Sequence, residues 1–296
     1  MTNRRFSVAA QCLVVDRYTG EVVAALRAAG VEPLLLKGPA TNGWLYEGEV
    51  GTRPYSDADL LVAPADWDTA RRTLRELDFK CAVPISMKAP LAKRRHGEDW
   101  RRASDEAIVD LHESVHYAEH LDPARVWRVL SRDADGIAVA GTPVSIPSVA
   151  VRTLHVVLHL QPDDPPDSQA WRDLERAVDR VSFDTWRHAA SLAEELGVTA
   201  EMGTVLARVP GGRLLADQLA LPTDAPEVAD WRARRSGSRP WLVRIARDLF
   251  PPPGYIRAGW PFARLGPVHL AAAYAWRLIV LPWRGVTWWR SRRARD

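Results

Sequence analysis

Asp57 and Asp59 stand one residue apart in RPYSDADLLV, at the head of an apolar run. In an extended strand, side chains i and i+2 share a face, so the two carboxylates project together. Like charges this close repel, and burying either costs free energy unless a cation lies between them. Paired carboxylates offer oxygens to a hard divalent cation such as Mg²⁺, which keeps water and substrate phosphates among its ligands. That chemistry suits phosphoryl or nucleotidyl transfer. A second cation needs a third carboxylate, and Asp110 in AIVDLH is the candidate. It alternates with Val109 and Leu111 in a run of strand length, so it projects to the side opposite that apolar pair. Upstream, Lys37-Gly38 closes the apolar run PLLLK. A glycine there lets backbone approach a phosphate, the next helix start offers free N–H groups, and Lys37 adds a point charge. Arg53, in the loop before the aspartates, is placed to meet a phosphate or to pair with Asp57 or Asp59.

Plainer readings stand beside these. Asp57 could cap a turn, and Asp110 could be an ordinary edge-strand carboxylate. His112 either meets an acceptor, orients Asp110 or is structural. His155 and His159 have the i, i+4 spacing that can bind zinc, but Val156, Val157 and Leu158 lie between them and no glutamate does. They read as helix-face histidines. Lys93-Arg94-Arg95 and Arg101-Arg102 read as a solvated loop, with polyanion steering as the alternative.

The elements that must hold these residues follow from periodicity. Thr19 is expected to cap a helix through Ala29, with Val22, Val23 and Leu26 on one face and Gly30 as the stop. Residues 33–37 form a short buried strand, 40–46 a short helix, 57–62 the second strand and 65–78 an amphipathic helix. FKCAVPI, 79–85, and AIVDLH, 107–112, are further strands. Between them KAPLAKRRHGEDWRRASDE, 88–106, is polar and basic and reads as an exposed hairpin or loop. Helical periodicity then marks 149–160, 171–181 and 183–196, the first two separated by the loop QPDDPPDS, and Pro210-Gly211-Gly212 makes another break. Three regions result: a core of mixed strands and helices over 1–145, a helical region over 146–222, and an extension over 223–296 with seven of the thirteen tryptophans and a basic tail.

Composition bounds the classes. The 296 residues are 47% hydrophobic and 26% charged, as in a folded soluble chain. The net charge of +3 is concentrated at the end. From Arg277 to Asp296 there are six arginines and one aspartate, a local +5, and the remainder carries 34 basic and 36 acidic residues, a net −2. The whole chain therefore does not read as a nucleic-acid binder. Two cysteines, Cys12 and Cys81, make no disulfide framework and fit a reducing cytoplasm. The N-terminal apolar run is interrupted by Asp16 and Arg17, so no signal peptide is expected. The longest uncharged run of the tail, Leu265 to Trp276, is twelve residues. That is short of the roughly 20 a membrane span needs. A helix over 268–281 is expected to pack on the body, with peripheral membrane contact by Trp276, Trp283, Trp288 and Trp289 as the alternative.

LLLKGPA, then RPYSDADLLV, then a helix, then IVDLH resembles the nucleotidyltransferases of the DNA polymerase β type, and within them the largely uncharacterised bacterial family with Lys-Gly in its first motif and Leu-His after the third carboxylate. LHVVLHL, WRDLERAV, FPPPGYI and AYAWR are similar to the helical half of that family, so the resemblance covers most of the chain. It implies an α+β fold: a small mixed sheet with flanking helices, followed by a helical domain that closes the cleft. It implies that Asp57, Asp59 and Asp110 hold two Mg²⁺ ions, that Lys37 and Gly38 hold the phosphates of an NTP, with ATP the first choice of donor, and that His112 stands near the acceptor. Pro39 stands where the wider superfamily carries a serine; Thr41 or a backbone N–H would replace that hydroxyl. The implied reaction moves an NMP to a hydroxyl or phosphate of a small molecule, peptide or protein, in the setting of natural-product or polysaccharide biosynthesis. Two alternatives remain: a non-catalytic relative that binds a nucleotide or partner protein, and a nucleic-acid-modifying nucleotidyltransferase.

Overall fold

Seven strands pair into one mixed sheet in the computed structural model, which describes residues 2–47, 51–82, 97–161, 164–223 and 266–275. Contacts divide the chain into two compact units, Met1–Cys81 with Arg94–Arg232, and Ala82–Lys93 with Ala233–Asp296. The described part of the second unit carries a helix over 267–275, which overlaps the span expected at 268–281 and begins one residue before it; Trp276, Trp283, Trp288 and Trp289 lie outside the described residues. Among the described residues, no helix is long and apolar enough to cross a membrane.

In the first unit, α1 (Thr2–Ala28) leads into β1 (Leu34–Leu35), α2 (Pro39–Leu45) and β2 (Ala58–Leu61). A helical turn at Pro64–Asp66 introduces α3 (Trp67–Glu76), which is followed by β3 (Lys80–Cys81), β4 (Gly97–Arg102) and β5 (Ala107–His112). Then come α4 (Pro123–Leu130) and the hairpin β6 (Asp135–Val139) and β7 (Thr142–Ile146). The order across the sheet is β3-β4-β5-β2-β1-β7-β6. The β2–β5 and β1–β7 pairs are parallel, and the others are antiparallel.

Three expectations are corrected. The first helix does not begin at Thr19: its hydroxyl donates to the Val15 carbonyl at 2.7 Å, four residues back within α1. Cys12, Val15, Tyr18, Val22 and Leu26 are all buried, at steps of three and four, and make the stripe that holds the longer helix. Gly20 is a point of close approach and not a break, since a Cβ there would lie 3.0 Å from both Thr142 Oγ1 and the Val139 carbonyl. Second, the expected exposed hairpin at 88–106 contains β4; residues 83–96, with Lys93-Arg94-Arg95, lie outside the described residues. The inner face of β4 is Glu98, Trp100 and Arg102. Glu98 pairs with Arg71 at 3.0 Å, and Arg102 clamps Glu21 and Asp105. Two charges around a single tryptophan hide a buried strand from any hydropathy pattern. Third, the hairpin β6–β7 was not among the expected strands, yet β7 extends the sheet beside β1.

The sheet separates two cores. Leu35, Leu60, Val109 and Leu111 face Val22, Leu26 and Leu74 of α1 and α3. Leu34, Leu36 and Leu61 face a cluster with Leu154, Val157, Trp186 and Leu206. That second face is covered by α5 (Val149–His159), α6 (Gln169–Arg180), α7 (Phe183–Glu195), α8 (Thr199–Leu206) and α9 (Gly212–Gln218). Ser148, Ser168 and Ser182 cap α5, α6 and α7, each hydroxyl accepting from the backbone N–H three residues on.

Candidate active site

The parallel pairing of β2 with β5 sets Ala58 opposite Val109, Asp59 opposite Asp110, and Leu61 opposite His112. Asp59, Asp110 and His112 therefore share the face turned away from Leu60, Val109 and Leu111. One ligand atom from each of the three lies within 4.8 Å of the other two. Asp57, which precedes the strand, stands outside that group, although its charge is felt at Asp110. The group that meets is thus two of the three expected carboxylates and an imidazole, with Asp57 near enough for its charge to act on Asp110.

Asp59 is the most enclosed of the set, 3% exposed. Its Oδ1 accepts a hydrogen bond from Lys37 Nζ at 2.8 Å, and His112 Nε2 lies 3.2 Å from the same oxygen. Burial pushes the Asp59 carboxyl up, but Lys37 and His112 outweigh it and hold the group well below the usual carboxylate range. At Asp110 the Lys37 charge pulls the same way but is outweighed. Burial, then the charges of Asp59, Asp99 and Asp57, push its carboxyl up to about 7. Asp57 is raised as well, by burial first and then by Asp59. A carboxylate group this short of positive charge fits a divalent cation.

Backbone geometry supports these positions. Gly38, between Lys37 and α2, has φ 61° and ψ −117°, a conformation that disfavours any side chain. Pro39 opens α2, and Thr41 is buried within it. Gly97 of β4 lies opposite His112, and a Cβ there would come within 2.6 Å of the Leu111 carbonyl and 2.7 Å of His112 Nδ1. Only glycine leaves His112 its place.

Arg53 is corrected as a partner of Asp57 or Asp59. Its guanidinium is buried and grips Asp173 of α6 at 2.8 to 3.1 Å, and Asp173 also accepts from the Tyr46 hydroxyl and Gln169. It ties the loop before β2 to the helical layer.

His155 and His159 lie on the face of α5 that closes the site. With Lys37, Asp59, Asp110, His112, His116 and Gln161 they line a cavity of about 160 Å³. Their rings stack at 5.8 Å. His155 Nδ1 meets the Tyr117 hydroxyl at 3.3 Å, while His155 Nε2 and His159 Nδ1 are buried with no partner. Burial, reinforced by the Lys37 charge, lowers His155 well below its usual range and His159 to about 4, so both rings are neutral at pH 7. Sequence spacing found this pair but not its placement. His116 and Gln161 were not singled out; the signal available for His116 was its position four residues after His112 in DLHESVH.

A family model described as "Uncharacterised nucleotidyltransferase" matches residues 1–209. No curated protein matches the chain. Among solved structures, the solution structure of the antibiotic-resistance factor ANT(2'')-Ia aligns at 14% identity and a TM-score of 0.41, covering 62% of this chain and 92% of that one. A crystal structure of ANT(2'')-Ia with adenylyl-2''-tobramycin aligns at 14% identity and 0.39, covering 58% and 93%. An antigenic nucleotidyltransferase-like protein from Paracoccidioides brasiliensis aligns at 13% identity and 0.37, covering 64% and 91%.

Proposed function

Because the chain belongs to the uncharacterised nucleotidyltransferase family, we propose that it transfers an NMP from an NTP, with ATP the first choice, to a hydroxyl or phosphate of a small molecule or peptide acceptor. The observation that carries the reading is the pairing of Asp59 with Asp110 across parallel strands, with Lys37 bonded to Asp59. Asp57, Asp59 and Asp110 would hold two divalent ions, Mg²⁺ with the triphosphate among them. When bound, such ions stabilise the attacking and leaving oxygens of an in-line displacement and ease deprotonation of the acceptor.

The chain's own residues do the rest. Lys37 Nζ, bonded to Asp59 Oδ1 in the protein alone, would hold the β and γ phosphates of the nucleotide. Gly38 keeps the backbone beside them clear of a side chain. His112 and the neutral His155–His159 pair line the acceptor side of the cavity. The helical region over 146–222 shapes the acceptor pocket, and a cytoplasmic setting suits two free cysteines.

One observation favours a non-catalytic relative: Lys37 already occupies Asp59. A single experiment separates the two readings. Wild type and Asp57→Asn/Asp59→Asn are melted with each NTP, with and without Mg²⁺. A ligand bound only by the native state raises stability by RT ln(1 + [L]/Kd), about 2.7 kcal/mol at a hundred times Kd. A Mg²⁺-dependent shift lost in the double variant, with release of pyrophosphate once an acceptor is supplied, is the expected result. No shift with any NTP in folded wild type defeats the proposal.

A further inference from the structure

We propose that Asp59, Asp110 and His112 bind a first-row transition ion, such as Zn²⁺, Co²⁺ or Mn²⁺, in preference to Mg²⁺. This rests on the reading above only in taking the pocket for a metal site. It makes the acceptor-side ion different in kind from the Mg²⁺ that accompanies the triphosphate.

The donor set is the first reason. One atom from each of the three residues lies within 4.8 Å of the others, and His112 turns Nε2 toward Asp59. Mg²⁺ takes oxygen and water, whereas an imidazole nitrogen beside carboxylates raises affinity for later divalent ions of the row. Three protein ligands with an open position is the pattern of catalytic zinc. The second reason is independent of those ligands. His155, only 7% exposed, lines the same cavity with Nε2 unpartnered, while Tyr117 engages its other nitrogen. A buried polar atom without a partner is costly, and a ligand in the cavity would meet it. The close approach of β4 fixes where His112 stands: a Cβ at Gly97 would lie 2.6 Å from the Leu111 carbonyl and 2.7 Å from His112 Nδ1.

The full-length protein is stripped with chelator and titrated, without nucleotide, with Co²⁺ followed by visible absorption and with Mn²⁺ followed by electron paramagnetic resonance. The expected result is one ion per chain, displaced by Mg²⁺ only at concentrations about tenfold or more higher. Pulsed resonance on the Mn²⁺ protein should show the hyperfine coupling of a coordinated imidazole nitrogen. His112→Gln should weaken Co²⁺ about tenfold or more while changing Mg²⁺ little. His188→Gln, outside this cavity, should change neither. Absence of stoichiometric binding, Mg²⁺ bound as tightly as Co²⁺, or no nitrogen coupling in wild type overturns the proposal; the last needs no variant to fold. Nitrogen-coupled metal without any NTP shift would sustain this site and defeat the proposed reaction. An Mg²⁺-NTP shift without nitrogen coupling would do the reverse.

Discussion

Asp59 and Asp110 face each other across one strand pair, yet one carboxyl is lowered and the other raised, because the Lys37 hydrogen bond goes to Asp59. In metal-free protein the raised Asp110 group holds a proton in the fold that the unfolded chain has released. Its contribution is therefore unfavourable at high pH and relieved as pH falls from about 7 toward 4. Asp110→Asn should stabilise the chelated protein at pH 8, on the order of 2 kcal/mol after discounting for partial exposure, with the gain fading near pH 4. Urea unfolding at the two pH values tests this. Lys37→Met should act the other way. It leaves Asp59 buried with His112 alone, at a cost of about 1–3 kcal/mol at pH 7, part of which added divalent ion should recover. The two carboxylates were legible because a D-x-D and an alternating run both announce strand faces. The placement of Asp57 was not, because β2 begins at Ala58 and the i, i+2 rule stops where the strand does. The burial of His155 and His159 was equally hidden, since spacing says which residues share a helix face and not what that face meets.

Strands β4 and β5 show how one element positions another. Gly97→Ala should push β5 away from β4 at His112, lowering metal affinity as well as stability, because the nearest obstacle is the Leu111 carbonyl and not a movable side chain. Metal titration of the folded variant checks it; unchanged affinity would mean that His112 is not held by this contact. The loop before β2 has its own clamp. Removing either partner of the buried Arg53–Asp173 pair should cost about 3–5 kcal/mol, and Arg53→Met with Asp173→Leu should cost less than the two single changes together. Chemical denaturation of all four proteins gives that cycle. These partners are 120 residues apart, and nothing local to either names the other. Most helices past residue 148 were readable, because a serine cap and a 3.6-residue period are local properties. Strand β4 was not, because its inner face is satisfied by ion pairs formed with distant elements.

The first unit owes its integrity to a core that spans its sheet and its helices. Leu34, Leu36 and Leu61 lie in one cluster with Leu154, Trp186 and Leu206, so the sheet alone would expose that whole face to water. A fragment ending at residue 146 should show no cooperative unfolding transition by circular dichroism, whereas one ending at 223 should. Lys37 adds a property that belongs to the molecule and not to the reaction. It supplies Asp59 with an internal counterion in the protein alone, so folding is expected not to depend on a supply of divalent ions. Zinc fingers unfold when stripped; this chain should melt within a few degrees of its usual temperature in excess chelator, roughly the shift that 1 kcal/mol produces. A cell short of the ion would hold it as an intact, idle reserve, ready to work again without being made anew.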